Sequence, residues 1–147
     1  MRTNSGRLAG KVAIITGASK GTGVVMGKQF ADAGAKVLMV ARNEDAVKEA
    51  AVAAGNGAIG MRADVTNEAD VAAMVDRALA EWGQVDILLN NAVIPGKDLH
   101  VWEQTLENWN EVFAICITAP MIASREVLKR SMLERKTGSI INFSSTA

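Results

Sequence analysis

The apolar run Val12-Ala13-Ile14-Ile15 passes directly into Thr16-Gly17-Ala18-Ser19-Lys20-Gly21-Thr22-Gly23, and a stretch of helical period follows. A glycine-rich seam between a strand and a helix constrains the fold more than any other feature of this chain. Gly17 suits the tight turn that leaves the strand. Gly21 and Gly23 carry no Cβ, so backbone there can approach a pyrophosphate closely. The helix behind them offers free N–H groups and the positive end of its dipole to such an anion. Gly27 lets that helix pack near the sheet. A glycine cluster alone only marks a turn; its place between the first strand and the first helix points to dinucleotide binding. A P-loop is excluded by spacing, because Thr22 stands five residues after Gly17 and no Gly-Lys-Ser/Thr follows. A methyltransferase, whose first turn is similarly rich in glycine, stays open at this point.

Apolar runs of strand length then alternate with helical segments. Val37–Val40, Ile87–Leu89 and Ile140–Ile141 read as further strands, with a short one at Ala58–Met61. Uninterrupted apolar runs of this kind belong to parallel strands covered by helices on both faces. Asn43 is placed to cap a helix carrying Val47, Ala50, Ala51 and Ala54 on one face, ended by Gly55. Asn67 caps the next, whose stripe is Val71, Met74, Val75, Ala78, Leu79 and Trp82, with Gly83 as its stop. A longer helix is expected from about Leu106 to Glu134 with a kink at Pro120. Its first half is apolar nearly all round, which predicts burial on more than one side. The order β-α-β-α-β-α-β-α-β makes this an α/β chain, a Rossmann-type doubly wound parallel sheet of about five strands. Its ligand crevice is expected at the carboxyl ends of the strands, where strand order reverses.

Composition narrows the function classes. The 147 residues suit one domain, and 49% hydrophobic residues can build a core. Sixteen Lys and Arg balance sixteen Asp and Glu, which argues against nucleic acid or an anionic membrane as partner. The single cysteine, Cys116, forms no disulfide within the chain and reads as a buried apolar residue. Met1 to Lys11 contains no secretory apolar segment, and Leu8–Lys11 reads as a tail. The apolar run Val112–Ser124 is too short to span a bilayer. A cytoplasmic protein is the expectation. His100, the only histidine, reads as a surface residue, and no metal-ligand cluster is visible. Trp82, Trp102 and Trp109 read as packing residues.

Four motifs together resemble the short-chain dehydrogenases/reductases. Thr16 to Gly23 resembles TGxxxGxG, and Asp64-Val65 resembles the pair that holds the adenine ring. Asn90-Asn91-Ala92 resembles the start of NNAG, and Gly138 to Ser145 resembles the strand that delivers the catalytic serine. They fall in order with sensible gaps over nearly the whole chain, which sets the methyltransferase aside. The resemblance implies hydride transfer between a nicotinamide dinucleotide and a small-molecule carbonyl or alcohol. It implies cofactor-binding roles for Gly17, Ser19, Lys20, Gly21, Thr22, Gly23, Arg42, Asp64, Val65, Asn91 and Ala92. It also implies a catalytic serine at Ser145 and, for the complete protein, a homo-oligomer formed partly through the long helix.

The chain departs from the family pattern in three places. It contains no tyrosine, so the Tyr-x-x-x-Lys motif that supplies the general acid/base is missing. The family's water-ordering Asn aligns with Cys116, whose thiol is a poor substitute for an amide. Val93 stands where NNAG has glycine, which narrows the nicotinamide end of the crevice.

Arg42, just past the second strand, decides the cofactor expectation. An NAD-preferring site places Asp or Glu at the position of Ala41, to bind the ribose 2′-hydroxyl. Here Arg42 and Lys20 are placed to meet a 2′-phosphate, so NADP(H) is favoured over NAD(H). Residues 1–147 are therefore expected to form a single NAD(P)-binding domain. Its sequence ends before the Tyr-x-x-x-Lys motif, the catalytic helix and the later strands. An inactive, truncated oxidoreductase is the leading expectation, with Ser145 left without its partners. A standalone, non-catalytic dinucleotide-binding module is the alternative.

Overall fold

Five short strands carry the architecture of the computed structural model, which describes residues 6–144. They are β1 (Val12–Thr16), β2 (Lys36–Ala41), β3 (Ile59–Arg62), β4 (Ile87–Asn90) and β5 (Ser139–Asn142). All pair in parallel, in the spatial order β3-β2-β1-β4-β5. The sequence leaves β1 toward β2 on one side and returns to β4 on the other, so the reversal of order lies between β1 and β4. This is a Rossmann-type α/β fold.

Every residue of β1 is buried, and its alternating side chains divide the core in two. Ile14, Leu38, Val40 and Leu88 point to one face, where Val71, Met74, Ile122 and Val127 cover them. Ile15, Val37, Met39 and Leu89 point to the other, against Ala31, Val47, Ala50 and Ala51. Each fully buried branched side chain contributes about 1.5–3 kcal/mol relative to exposure. The covering helices are α1 (Gly21–Asp32), α2 (Glu44–Ala54) and α3 (Glu68–Trp82). Asn43 caps α2 by accepting from the Ala46 amide, and Asn67 caps α3 by accepting from the Ala69 and Asp70 amides. Gly83 ends α3 in the left-handed conformation, at φ +75°.

The long helix is less regular than its periodicity predicts. It runs as α4 (Leu106–Phe113), α5 (Ala119–Val127) and α6 (Leu133–Arg135), joined by π stretches at Ala114–Thr118 and Leu128–Met132. Pro120 cannot donate to the Cys116 carbonyl, and the first π stretch lies directly before it. The irregularity is therefore a widened turn ahead of the proline. In the second stretch the buried Ser131 hydroxyl accepts from the Val85 amide and donates to the Val85 carbonyl, tying the helix to the start of β4. Only one side of the long helix is buried: Ile115, Ala119, Ile122, Ala123 and Val127 face the sheet. Trp109, Phe113, Ile117 and Met121 form an exposed stripe at four-residue spacing, which corrects the expectation of burial on several sides.

Other expectations also change. Leu8–Lys11 is not a tail: the Leu8 amide donates to the Ala33 carbonyl, and Leu8 packs on the core. Trp102 and Trp109 are exposed and stack on His100 and Phe113 rather than filling the core. Cys116 is half-buried. At the amino ends of the strands, Asp86 forms a buried polar anchor. It accepts from the Val12 amide, Gln84 and Arg135, with Lys11 at 3.7 Å. Burial pushes its carboxyl up, but the hydrogen bonds from Arg135 and the Val12 amide, with the charges of Arg135 and Lys11, outweigh burial and hold it below the usual range.

Candidate functional site: a crevice at the carboxyl ends of the strands

The opposite ends of the strands surround a cavity of about 720 Å3. Gly17, Ser19, Lys20, Gly21 and Thr22 line it from the turn between β1 and α1. Ala41 and Arg42 line it from the end of β2, Asp64 and Val65 from the loop after β3, and Asn91, Ala92 and Val93 from the end of β4. Ile94 and Ile115 add an apolar wall. The position agrees with the general rule that open α/β sheets bind ligands where strand order reverses.

The glycine turn is built for an anion. Gly17 has φ +65° and Gly21 φ +56°, both in the left-handed region where a side chain is strained. A Cβ on Gly21 would meet nothing within 4 Å, so open space lies beside it. Lys20 is the N-cap of α1, its side chain caps nothing, and no acidic residue occupies the first turn. The first amides of the helix and the positive end of its dipole are thus left for a ligand. Gly23 plays a different part from the one its spacing suggests. It is buried, and a Cβ there would sit 2.4 Å from the Gly17 carbonyl oxygen and 2.8 Å from the Ala18 Cα. It lets the turn fold on itself; ligand approach is not what requires it.

Thr16 and Asn91 lock that turn to β4, and the sequence reading missed both as structural clamps. The Thr16 hydroxyl accepts from the Asn91 and Ala92 amides at 3.1 Å each and donates to the Leu89 carbonyl. The Asn91 side chain donates to the Thr16 and Gly17 carbonyls at 3.0 and 3.2 Å. The only available signal was their position beside the glycines in two motifs. Asn90 is buried and donates to Asn142 on β5 and to Ser124 on α5, joining three elements under the crevice.

Asp64 presents a charged carboxylate. One oxygen accepts from the Thr66 hydroxyl at 2.7 Å and the Thr66 amide at 2.9 Å. These bonds, and then the charges of Arg42 and Arg62, hold the carboxyl below its usual range. Arg42 and Lys20 are exposed at the rim. Val93 is 70% exposed and lines the cavity. Cys116 donates weakly to the Ile94 carbonyl, with sulfur and oxygen 3.6 Å apart. Ser145 lies outside the described residues. Among the described residues no group of His, Cys, Asp or Glu is arranged to hold a metal ion, and no helix is long and apolar enough to cross a membrane.

Comparison with known proteins points the same way as the geometry. The family profile described as short chain dehydrogenase matches residues 11–147. The chain is 37% identical over 139 residues to a cis-4-hydroxycyclohexanecarboxylate dehydrogenase from Sinomonas cyclohexanicum, covering 93% of this chain and 55% of that protein. It is 34% identical over 141 residues to a 3beta-hydroxysteroid dehydrogenase 2 from Eggerthella lenta, covering 94% and 54%. It is 36% identical over 142 residues to momilactone A synthase from Oryza sativa subsp. japonica, covering 95% and 51%. The chain spans about half the length of the curated relatives it matches.

Proposed function

The chain belongs to the short chain dehydrogenase family, and from that premise we propose that its crevice binds NADP(H). In this reading residues 1–147 form one NAD(P)-binding domain of an oxidoreductase acting on a carbonyl or alcohol. The observation that carries it is the uncapped start of α1 behind two left-handed glycines, set in a cavity with Lys20 and Arg42 at its rim. The pyrophosphate takes the amides of Gly21 and Thr22, where the helix dipole favours negative charge. Asp64 and Val65 take the adenine. Arg42 and Lys20 take the 2′-phosphate, and Ala41 leaves no carboxylate to oppose it. Asn91 and Ala92 floor the nicotinamide end, with Val93 crowding it.

When bound, the nicotinamide supplies or accepts the hydride. The residues of this chain hold and orient the cofactor. An alkoxide formed during transfer needs a proton donor beside it. These 147 residues contain no tyrosine, and Cys116 stands where the family orders a water with Asn. On this account the chain alone binds the cofactor without carrying a carbonyl substrate through turnover. Ser145 would hold a substrate oxygen only with partners from further sequence. The complete protein is proposed to be a homo-oligomer.

Titration of the purified chain with NADPH and NADH tests the cofactor reading. NADPH should bind more tightly, and Arg42→Asp should erase or reverse that preference. Equal affinities in the parent overturn it. A carbonyl-reduction assay with NADPH should stay at background. Turnover that survives stringent purification and is lost in Gly21→Asp overturns the inactivity.

A further inference from the structure

Helix α4 inverts the usual burial pattern. Leu106, Trp109 and Phe113 are exposed, while its buried residue is the amide Asn108. A buried polar side chain needs partners, and Asn108 finds them in the loop after β4. Its Oδ1 accepts from the Lys97 amide at 3.0 Å. Its Nδ2 donates to Gln104 Oε1 at 2.5 Å. Gln104 Nε2 in turn donates to the Leu99 and Lys97 carbonyls at 3.3 and 3.4 Å. Residues 91–100 form no helix or strand, so these side chains take the place of a ladder for that backbone.

The same loop walls the crevice. At its start the Asn91 and Ala92 amides are held by the Thr16 hydroxyl. At Lys97 it is held by Asn108. Only Val93-Ile94-Pro95-Gly96 spans the two anchors. Pro95 has a fixed φ. Gly96 has φ +75°, and a Cβ there would sit 2.8 Å from Val112 Cγ2, so the loop lies directly on α4. A span this short and stiff takes its course from its ends. Val93 and Ile94, which line the cavity, therefore depend on the Asn108 anchor for their place. This wall stands at the end of β4, whereas Arg42 and Asp64 follow β2 and β3 on the other side of β1.

We propose that Asn108, working with Gln104, is a positioning residue that sets the β4 side of the crevice and so governs affinity for the nicotinamide half of the cofactor, leaving the adenosine half unaffected. The inference rests on the crevice being an NADP(H) site. It adds two residues that neither line the cavity nor belong to the glycine and strand-end motifs.

Calorimetric titration of the parent chain, Asn108→Leu, Asn108→Asp and Gln104→Ala with NADPH and with adenosine 2′,5′-bisphosphate tests it. The second ligand carries the 2′-phosphate and the adenine but no nicotinamide. Asn108→Leu should weaken NADPH about tenfold and leave the bisphosphate within about twofold. Asn108→Asp keeps an acceptor for the Lys97 amide and should lose less than the leucine variant. Gln104 is half-buried, so Gln104→Ala makes the same selective comparison in a chain whose core is untouched. Unchanged NADPH affinity in Asn108→Leu and Gln104→Ala overturns the positioning role and leaves the cofactor reading standing. Equal weakening of both ligands also overturns it, because the residues then act on the fold as a whole. A parent chain that binds neither ligand removes the cofactor reading, and this inference falls with it.

Discussion

Replacing Thr16 with valine removes one hydroxyl and keeps the shape of the side chain. That hydroxyl is buried and serves three partners: the Asn91 and Ala92 amides donate to it, and it donates to the Leu89 carbonyl. The substitution leaves two amides without an acceptor at the end of β4. A buried donor left unsatisfied costs about 1–3 kcal/mol. The Asn91 amide lies deep, whereas Ala92 is half-exposed and can recover part of its loss from water. The sum is about 3 kcal/mol. With a urea dependence of about 1–3 kcal/mol/M, the unfolding midpoint should fall by roughly 1–3 M without a change in slope. NADPH affinity should fall with it, because the same hydroxyl aligns the glycine turn with β4. Thr16→Ser keeps the oxygen and should stay within about 1 kcal/mol of the parent. Urea melts of the three proteins make the comparison. A Thr16→Val midpoint equivalent to less than about 0.5 kcal/mol of destabilisation would refute the clamp.

Gly23→Ala places a methyl 2.4 Å from the Gly17 carbonyl oxygen, against backbone that cannot step aside. It should destabilise the chain by about 1–3 kcal/mol and lower NADPH affinity at least about tenfold, read by melts and titration. Asp86→Asn breaks a buried anchor whose partner Arg135 is partly exposed, so the expected loss at neutral pH is about 2 kcal/mol. The folded carboxyl lies below its unfolded value near about 3.9, so its stabilisation is present above that value and is lost as pH falls through the folded one. The gap between parent and Asp86→Asn should therefore shrink in melts on acidification, and a gap that grows would contradict the sign. Ile117 and Met121 are 60% and 52% exposed on the unpartnered stripe of the long helix. The double change Ile117→Glu and Met121→Glu should reduce association of the chain at micromolar concentration in sedimentation.

The order of elements was legible because parallel strands and their helices use different periods. Val37–Val40 and the Val71–Trp82 stripe each fit one period only. The glycine turn was legible in place but not in detail, since a bare spacing cannot tell that Gly23 faces the Gly17 carbonyl while Gly21 faces open space. The long helix misled because apolar residues at every angle imply burial only when a neighbour is present to bury them. Phe113, Ile117 and Met121 stay exposed among the described residues. Pro120 was visible as a disturbance, but whether a helix bends or widens depends on how its neighbours re-pair their carbonyls. Asp86 was invisible because its importance lies in partners that the fold brings from far along the chain. Asp86 stands 49 residues before Arg135 in sequence. No single-strand pattern carries that information. Lys20, Arg42 and Asp64 were nameable from motifs, and the structure shows them lining one cavity.

The central claim is that the glycine turn and the β2 end together form a site for a 2′-phosphorylated dinucleotide. Calorimetric titration of the folded chain with NADPH, set beside NADH and beside the Gly21→Asp variant, tests it most directly. The account predicts one saturable site per chain, tighter for NADPH than for NADH, and lost when an aspartate side chain occupies the open space beside the start of α1. A well-folded chain that shows no saturable binding, or that binds NADH as tightly as NADPH, would contradict it.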